Sequence, residues 1–358
     1  MADFYPLTVT DIAHDTRDAV VLTLAPRPED VGRFRFTPGQ YLTFRRRFDG
    51  EELRRSYSIC AAPGEGVLKV GIKRVEGGAF SSYAKSGLAV GETLEAMPPE
   101  GRFGAPEETA GRHFLGFAAG SGITPILAIV KSVLSGDPDA RFTLVYGNRS
   151  VSQVMFRREL GELKDRYLHR LNVVHVFSGE AQEIELFSGR IDAAKCRALF
   201  GRWIRPEDAE MAFICGPEAM MKDVSAALQE AGMAKEKIRF ELFGSAQPGR
   251  AKQKAKADAA RAIGNMVKAT IIIDGVPHSF DMPREGQSVL DAAREHDIDA
   301  PFSCHNGVCS TCMGRVKSGE VEMAQNYALE DYEVERGLVL TCQSYPVSDE
   351  ITIEYEGH

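Results

Sequence analysis

The chain has 358 residues, 44% hydrophobic and 26% charged, the composition of a soluble globular protein with about two or three domains. Its formal net charge is −8, and no basic stripe interleaved with aromatics marks it for nucleic acid. No apolar run approaches membrane-spanning length, and MADFYPLTVT lacks the basic start and apolar core of a secretory signal, so a cytoplasmic setting is expected.

Residues 1–108 alternate short β-like runs (LTVTDI, AVVLTL, QYLTFRR, VLKVGIKRV, ETLEAM) with Gly/Pro-punctuated turns. The pattern predicts a small antiparallel β-barrel or sandwich. In RRSYSIC, Arg55, Tyr57 and Ser58 fall on a strand. Side chains two apart share a face, so Arg55 can meet a phosphate while Tyr57 offers an aromatic edge to the same ligand. A plain surface strand fits the same run. GGAFSSY, with Gly77, Gly78, Ser81 and Ser82, fits a helix start whose backbone N–H groups face a pyrophosphate; an ordinary capped helix fits it too.

Residues 109–245 alternate strands (HFLGFAA, FTLVYGN, NVVHVFS, MAFICGP) with helices (ILAIVKSVL, MFRRELGELKDRY, AMMKDVSAALQEAG), the signature of an α/β parallel sheet. GSGITP, containing Gly120, Gly122, Thr124 and Pro125, stands between a strand and a helix. Glycines there let backbone approach a phosphate, and Pro125 fixes the first helical turn; a tight βα turn is the alternative. YGNRS places Asn148, Arg149 and Ser150 after the next strand, where an acidic residue would favour NADH and Arg149 can instead pair with a 2′-phosphate, which favours NADPH. Arg157 and Arg158 follow as further cations. ICGP puts Cys215, Gly216 and Pro217 at another strand end, where ligands bind, so Cys215 either meets a nicotinamide or simply packs. FELFGS closes the segment: Phe243 stacks on a flavin or fills an interface, and Glu241 is a candidate acid.

Residues 246–268, beginning AQPGRAKQKAKADAARAIGNMV, are rich in Ala, Lys and Gln and are expected to be a linker with transient helix, either solvated or docked on an acidic surface. Residues 269–358 carry 17 acidic against 5 basic side chains, net −12, while the rest of the chain has 34 against 38, net +4. TIIIDG and HSFDM predict a hairpin, SVLDAAREH a helix and ITIEYEG a closing strand, a compact mixed α+β unit. Between them lie Cys304, Cys309 and Cys312, with Cys342 thirty residues further on. C-x4-C-x2-C…C is the plant-type [2Fe–2S] spacing; a four-cysteine zinc site pairs two CxxC units instead. Four thiolates suffice as ligands, which leaves His305 beside them, and Gly307 suits a tight loop whose amides face sulfur. Seven cysteines, an odd number, argue against a disulfide framework; Cys196 is expected to be a small buried residue, while Cys60 either packs likewise or serves the RRSYSIC motif it ends.

Together RSYS, GGAFSS, GSGITP and CGP resemble the flavin and nicotinamide-nucleotide segments of the ferredoxin–NADP reductase superfamily. The order flavin barrel, nucleotide domain, C-terminal plant-type ferredoxin of β-grasp fold resembles the reductases of multicomponent oxygenases. In detail, EELRRSYSIC, VEGGAFSSYA, AAGSGITPILAI, YGNRS…MFRREL, FICGPEAMM and PFSCHNGVCSTCMG resemble the reductase-subunit family of bacterial phenylacetyl-CoA epoxidases. That resemblance implies FAD, NADPH and one [2Fe–2S] cluster, and electron delivery to a separate di-iron oxygenase of phenylacetate catabolism. It implies flavin contacts for Arg55, Tyr57 and Ser58 and a place for Cys215 near hydride transfer. Cys60 stands where many relatives have serine or threonine. The rivals are the reductase of another oxygenase, such as a steroid 9α-hydroxylase, and a non-catalytic electron carrier.

Overall fold

Apolar residues at every second position turn the early segments into strands that share one core. The computed structural model describes residues 3–106, 109–243 and 250–355, in two compact units, one covering Phe4–Phe243 and the other lying beyond it. In the first unit β1 (Tyr5–Thr16), β2 (Ala19–Pro26), β3 (Tyr41–Phe48), β4 (Glu51–Ser58), β5 (Leu68–Lys73) and β6 (Thr93–Ala96) pair antiparallel in the order β4-β3-β6-β1-β2-β5, with α1 (Ala79–Ser86) between β5 and β6. The ends of this sheet meet. Ile59, just past β4, bridges Val70 of β5, and the Cys60 N–H donates to the Lys69 carbonyl at 2.9 Å. The sheet is therefore closed into the expected barrel, which leaves no long edge open to pairing.

Strand β2 ties the barrel to a second layer. Val20, Leu22 and Leu24 point into the barrel with Leu7, Leu42 and Phe44, while Ala19 and Val21 face outward into a second core with Phe142, Met155 and Phe156. That core belongs to a parallel sheet of β7 (His113–Ala119), β8 (Arg141–Asn148), β9 (Leu171–Phe177), β10 (Met211–Cys215) and β11 (Ile238–Glu241), in the order β11-β10-β7-β8-β9. Helices α2 (Ile123–Gly136), α3 (Arg157–Arg166), α4 (Ala193–Phe200) and α5 (Glu218–Glu230) connect the strands. Strand β7 is apolar throughout because both faces are covered: Phe114 and Ala118 pack with α2 and α3, Leu115 and Phe117 with α4 and α5. Successive strands first add beside β8 and then return to the far side of β7 as β10. The carboxyl ends of β7 and β10 thus flank the switch point where such sheets bind ligands.

In the second unit α6 (Arg250–Ala262) precedes β12 (Met266–Ile273), β13 (Val276–Pro283), α7 (Val289–Glu295), β14 (Met313–Ser318), β15 (Val321–Met323), α8 (Asp331–Glu335), β16 (Leu338–Leu340), β17 (Ser344–Pro346) and β18 (Glu350–Glu354). The main sheet runs β13-β12-β18-β14-β16, with β12 and β18 parallel and the other pairs antiparallel. The hairpin expected from TIIIDG and HSFDM is β12–β13; Asp274 and Gly275, at φ 51° and 78°, make its turn. The stretch expected as a tether is helical from Arg250: Ala257 and Ala260 are buried, and Arg261 reaches Gln287 and Glu295. Strand β12 begins within that stretch. Small residues on one face and a cation near the last turn let a helix poor in large apolar residues still dock. The boundary expected at residue 108, the end expected at 245 and the linker start at 246–249 lie outside the described residues. No described helix is long and apolar enough to cross a membrane.

Candidate functional site

At the end of β7 the chain turns through Gly120–Gly122 into α2. Gly120 has φ +55°, and its carbonyl accepts the buried Tyr146 hydroxyl at 2.9 Å. The Thr124 hydroxyl donates to the Ser121 carbonyl at 2.9 Å, which fixes the turn from inside. Pro125 is buried in the first turn of α2. Gly122 touches the neighbouring strand end so closely that a Cβ there would lie 2.1 Å from the Cys215 carbonyl oxygen. Gly216 is also hemmed in, since its Cβ would meet Met220 Cε at 2.6 Å. Pro217 caps α5. The GSG and CGP segments, nearly a hundred residues apart in sequence, therefore form one surface. Asn148, at the end of β8, is buried beside the Tyr146 hydroxyl, yet neither its amide nitrogen nor its oxygen makes a well-aligned hydrogen bond. Arg149 is exposed, and Ser150 hydrogen-bonds Ser152 at 3.0 Å.

Beside this surface lies a second cluster. Cys215 and Glu241 are paired across β10 and β11, and the Ser58 hydroxyl, from the barrel, donates to Glu241 Oε2 at 3.0 Å. Part of the Glu241 residue is accessible, but its carboxyl group is enclosed, and burial pushes its pKa up to about 8 against the opposing Ser58 hydrogen bond. Burial, reinforced by Glu241, holds the Cys215 thiol well above its usual range, so it is neutral. Tyr57 packs on Phe44 and Phe80, and burial raises its phenol pKa while Arg55 pulls it down. Ser58, Glu241 and Cys215 come from three segments, and the structure brings all three together. Phe243 packs partly buried against the α/β core.

The start of α1 is built by its own loop. Gly77 has φ +72°, and Gly78 precedes the helix. Ser81 Oγ accepts the Val75 N–H at 3.1 Å and donates to the Gly78 carbonyl at 3.3 Å, while the Ser82 N–H bonds the Gly78 carbonyl at 3.0 Å. The Ser81 hydroxyl thus shapes the turn, and the first helical amides are what the turn presents.

In the second unit the cysteines converge. Cys304 contacts Cys309 and Cys342, and Cys342 contacts Cys312. The Asn306 N–H donates to Cys304 Sγ at 3.3 Å and the Cys304 N–H to Cys309 Sγ at 3.5 Å. Hydrogen bonds from Cys309 and Cys342, and from the amides of Asn306 and Val308, hold the Cys304 thiol well below its usual range against burial. His305 sits at φ +57°, 3.5 Å from Asp291. Among the described residues no three His, Cys, Asp or Glu are arranged to hold a lone metal ion. Four sulfurs in contact, with amides aimed at them, suit a cluster that spreads its ligands over two irons. The remaining cysteines are buried; burial pushes the Cys60 and Cys196 thiols up to about 12.

Two features had no sequence motif to announce them. Lys73 Nζ faces the GSG turn, 3.7 Å from where a Gly120 Cβ would stand, and burial lowers its pKa against the pull of Asp18. Lys131, on α2, is 6% exposed and reaches Glu159 at 2.8 Å and Glu65, on the barrel, at 3.0 Å. Each is a lone Lys in an ordinary pattern, and only the fold shows what it faces: the GSG turn for Lys73, and carboxylates from α3 and the barrel for Lys131. For the first, the sole hint is its place before GGAF at the end of a predicted strand.

The chain matches the models of an oxidoreductase FAD-binding domain over residues 7–104, an oxidoreductase NAD-binding domain over 117–226 and a 2Fe-2S iron–sulfur cluster binding domain over 271–347. It is 41% identical to a subunit of the 1,2-phenylacetyl-CoA epoxidase of Escherichia coli (strain K12), covering 99% of both chains. It is 33% identical to the ferredoxin reductase component of 3-ketosteroid-9-alpha-monooxygenase of Rhodococcus rhodochrous, covering 98% of this chain and 96% of that one. Its fold resembles phthalate dioxygenase reductase, described as a modular structure for electron transfer from pyridine nucleotides to [2Fe-2S], with TM-score 0.61, 22% identity and 98% of both chains covered. It also resembles an intact type IV self-sufficient cytochrome P450 monooxygenase with TM-score 0.70 and 22% identity, covering 98% of this chain but 41% of that longer one. Barrel, parallel sheet and cysteine-loop unit thus each match a domain of known chemistry, and the chain aligns with the epoxidase and ketosteroid monooxygenase components over nearly their whole length. The chain belongs to the family of FAD-, NAD(P)- and [2Fe–2S]-binding reductase components of multicomponent oxygenases.

Proposed function

We propose that this chain takes hydride from NADPH and releases electrons singly, through a cluster held by Cys304, Cys309, Cys312 and Cys342, to a separate di-iron oxygenase acting on phenylacetyl-CoA in the cytoplasm. Bound FAD supplies the exchange between a two-electron donor and a one-electron outlet; the protein supplies binding, orientation and electrostatics. The observation that carries this reading is the meeting of Ser58, Glu241 and Cys215 at the ligand-binding edge of the parallel sheet. The hydroxyl of Ser58 orients Glu241 through Oε2, and the raised pKa keeps a proton on the carboxyl at neutral pH. Cys215, neutral and buried, backs the strand end beside the nicotinamide position as a packing residue and does not act as a nucleophile. Arg55 and Tyr57 serve the flavin, and the α1 start with Gly77, Gly78, Ser81 and Ser82 serves its pyrophosphate. Gly120, Gly122, Thr124, Pro125, Gly216 and Pro217 shape the nucleotide cleft, where the buried unpaired amide of Asn148 gains a partner and Lys73 adds a cation. Arg149 and Ser150 receive the 2′-phosphate, and Phe243 closes the flavin side.

The oxygenase partner is inferred from the name of the 41% identical relative. A second reading, reductase to a steroid-type monooxygenase, is supported by the 33% identical relative and uses the same residues here. The test combines the FAD- and cluster-loaded chain with NADPH under anaerobic conditions, then with the epoxidase oxygenase subunits and phenylacetyl-CoA. Bleaching of the flavin followed by product formation is expected. Flavin that stays oxidised would sink the reductase reading. Bleaching without product, alongside turnover with a steroid oxygenase, would transfer the chain to the second reading. An Arg149→Ser variant is expected to lose affinity for NADPH and keep it for NADH.

A further inference from the structure

Gln343 directly follows Cys342 and is 6% exposed. Its amide Nε2 donates to the His305 carbonyl at 2.8 Å and lies 3.8 Å from Cys342 Sγ. One side chain therefore bridges the loop that carries the first three cysteines and the turn that carries the fourth. Its backbone is pinned as well: the Gln343 N–H donates to the Leu340 carbonyl at 2.8 Å, and its carbonyl accepts the Ala324 N–H at 2.9 Å. The cysteine loop is moulded around it. Gly307 has φ +69°, and a Cβ there would lie 3.0 Å from Gln343 Cγ and 3.0 Å from the Gln325 carbonyl oxygen. Next to Cys304, His305 sits at φ +57°, a conformation that a non-glycine residue keeps when its surroundings impose it. The hydrogen bond from Gln343 to its carbonyl is one such restraint.

We propose that Gln343 is a positioning residue that holds the cysteine loop against Cys342 and, through its N–H near the Cys342 sulfur, favours the reduced form of the [2Fe–2S] cluster. The inference rests on the assignment of the four cysteines as its ligands. Reduction adds one negative charge to a site already rich in thiolate. An N–H donor near sulfur offsets that charge, and such hydrogen bonds set cluster potentials. Backbone amides of Asn306 and Cys304 do the same but cannot be removed by substitution; the Gln343 amide can. Being neutral, it acts without the long-range field or the salt dependence of a Lys or Arg.

The test is a redox titration of the full-length chain carrying FAD and cluster, followed by visible absorption and electron paramagnetic resonance. Gln343→Met keeps the length of the side chain and removes the donor. It is expected to shift the reduction equilibrium toward the oxidised form by about three- to tenfold, or about 30–60 mV at about 59 mV per decade for one electron. Gln343→Glu keeps the shape but loses the donor to both the His305 carbonyl and the sulfur and brings an acid beside the cluster, so a larger shift in the same direction is expected; loosening of the loop alone would shift it no further than Gln343→Met. Both variants holding wild-type cluster content with less than about a 1.5-fold change, about 10 mV, would overturn the proposal. If Gln343→Met loses the cluster, Gln343→Glu alone decides by the same threshold. Cys342→Ser serves as a separate control: an unaltered cluster signal in that variant would show that the ligand assignment itself is wrong, and the proposal would fall with it.

Discussion

Replacing Lys131 by Met tests how the barrel is locked to the parallel sheet. Lys131 Nζ lies 2.8 Å from Glu159 and 3.0 Å from Glu65, and the lysine is 6% exposed while the carboxylates are 37% and 34% exposed. Burial pulls the ammonium pKa down, yet the two carboxylates outweigh it and the net shift is upward. The charged form is therefore favoured in the fold. Each charge-assisted hydrogen bond contributes about 1.5–3 kcal/mol, and removing one partner of a buried pair costs about 3–5 kcal/mol when the other charge is stranded. Here the stranded carboxylates are a third exposed and regain water, and the methionine stem refills the space without the cost of desolvating an ammonium. The net loss should fall near 2 kcal/mol, which for a body of this size lowers the melting temperature by about 4–8 °C. The assay is calorimetry of the FAD-loaded chain, with Glu65→Gln and the double variant completing a cycle. Because the lysine pKa is raised, its contribution is fully present below 10.5 and is lost only as pH rises through the folded-state value, so the difference between proteins should be constant from about pH 6 to 9. A Lys131→Met protein that melts with or above the wild type would refute the reasoning: desolvation would then exceed the Coulomb gain.

Three further outcomes are expected. Glu241 has its pKa moved from 4.5 to about 8, so the folded state binds the extra proton between those values, and this group makes stability fall as pH rises through that window; Glu241→Gln should flatten the slope in melting curves taken across it, and an unchanged slope would contradict the burial argument. Gly122→Ala must move either the GSG turn or the Cys215 carbonyl, which stands 2.1 Å from the added Cβ; a loss of about 1–3 kcal/mol of stability with weaker NADPH binding in titration calorimetry is expected, whereas Gly136→Ala, with nothing near its Cβ, should leave binding unchanged. Thr341→Val removes a hydroxyl that contacts the Tyr355 hydroxyl at 2.8 Å and donates to the Cys312 carbonyl at 2.9 Å; it should destabilise the cluster-loaded unit by about 1–3 kcal/mol, the cost of an unsatisfied buried group, visible as earlier bleaching of the cluster on heating.

The sequence made much of this legible because its strongest signals are local. An apolar strand run, a glycine turn and an apolar helix run stand together in HFLGFAAGSGITPILAIV, and the structure shows β7, the turn and α2 in that order. The four cysteines were legible through spacing alone. What could not be read is what depends on contact across the fold. Nothing in RRSYSIC announces that Ser58 meets Glu241, 183 positions away. Nor does ILAIVKSVL announce that Lys131 is the buried cation of its helix, since a Lys in a helix is ordinarily solvated. Helix α6 is legible only as a transient helix in a linker, for a related reason. Its composition is that of a tether, but Ala257 and Ala260 lie on one face, and small residues signal close packing only when a partner surface is known.

The two chemical sites are built by different physical means, and the difference reflects what each must hold. Hydride transfer demands reacting groups fixed within a fraction of an ångström, and the residues proposed for it stand at the ends of strands β4, β10 and β11, where sheet hydrogen bonds and glycine contacts leave little freedom. A one-electron outlet tolerates looser distances but depends on charge, because its potential is set by the donors around sulfur. The cysteines proposed as its ligands accordingly sit in a loop with few regular elements, and the fixed parts are the amides and the Gln343 and Thr341 side chains that point inward. Substitutions at strand ends should therefore act first on the rate of flavin reduction, and substitutions around the cysteine loop first on the cluster potential. Flavin reduction measured by stopped flow and potential measured by redox titration separate the two. A Gln343 variant that slowed flavin reduction, or a Gly122 variant that shifted the cluster potential, would show that the division is false.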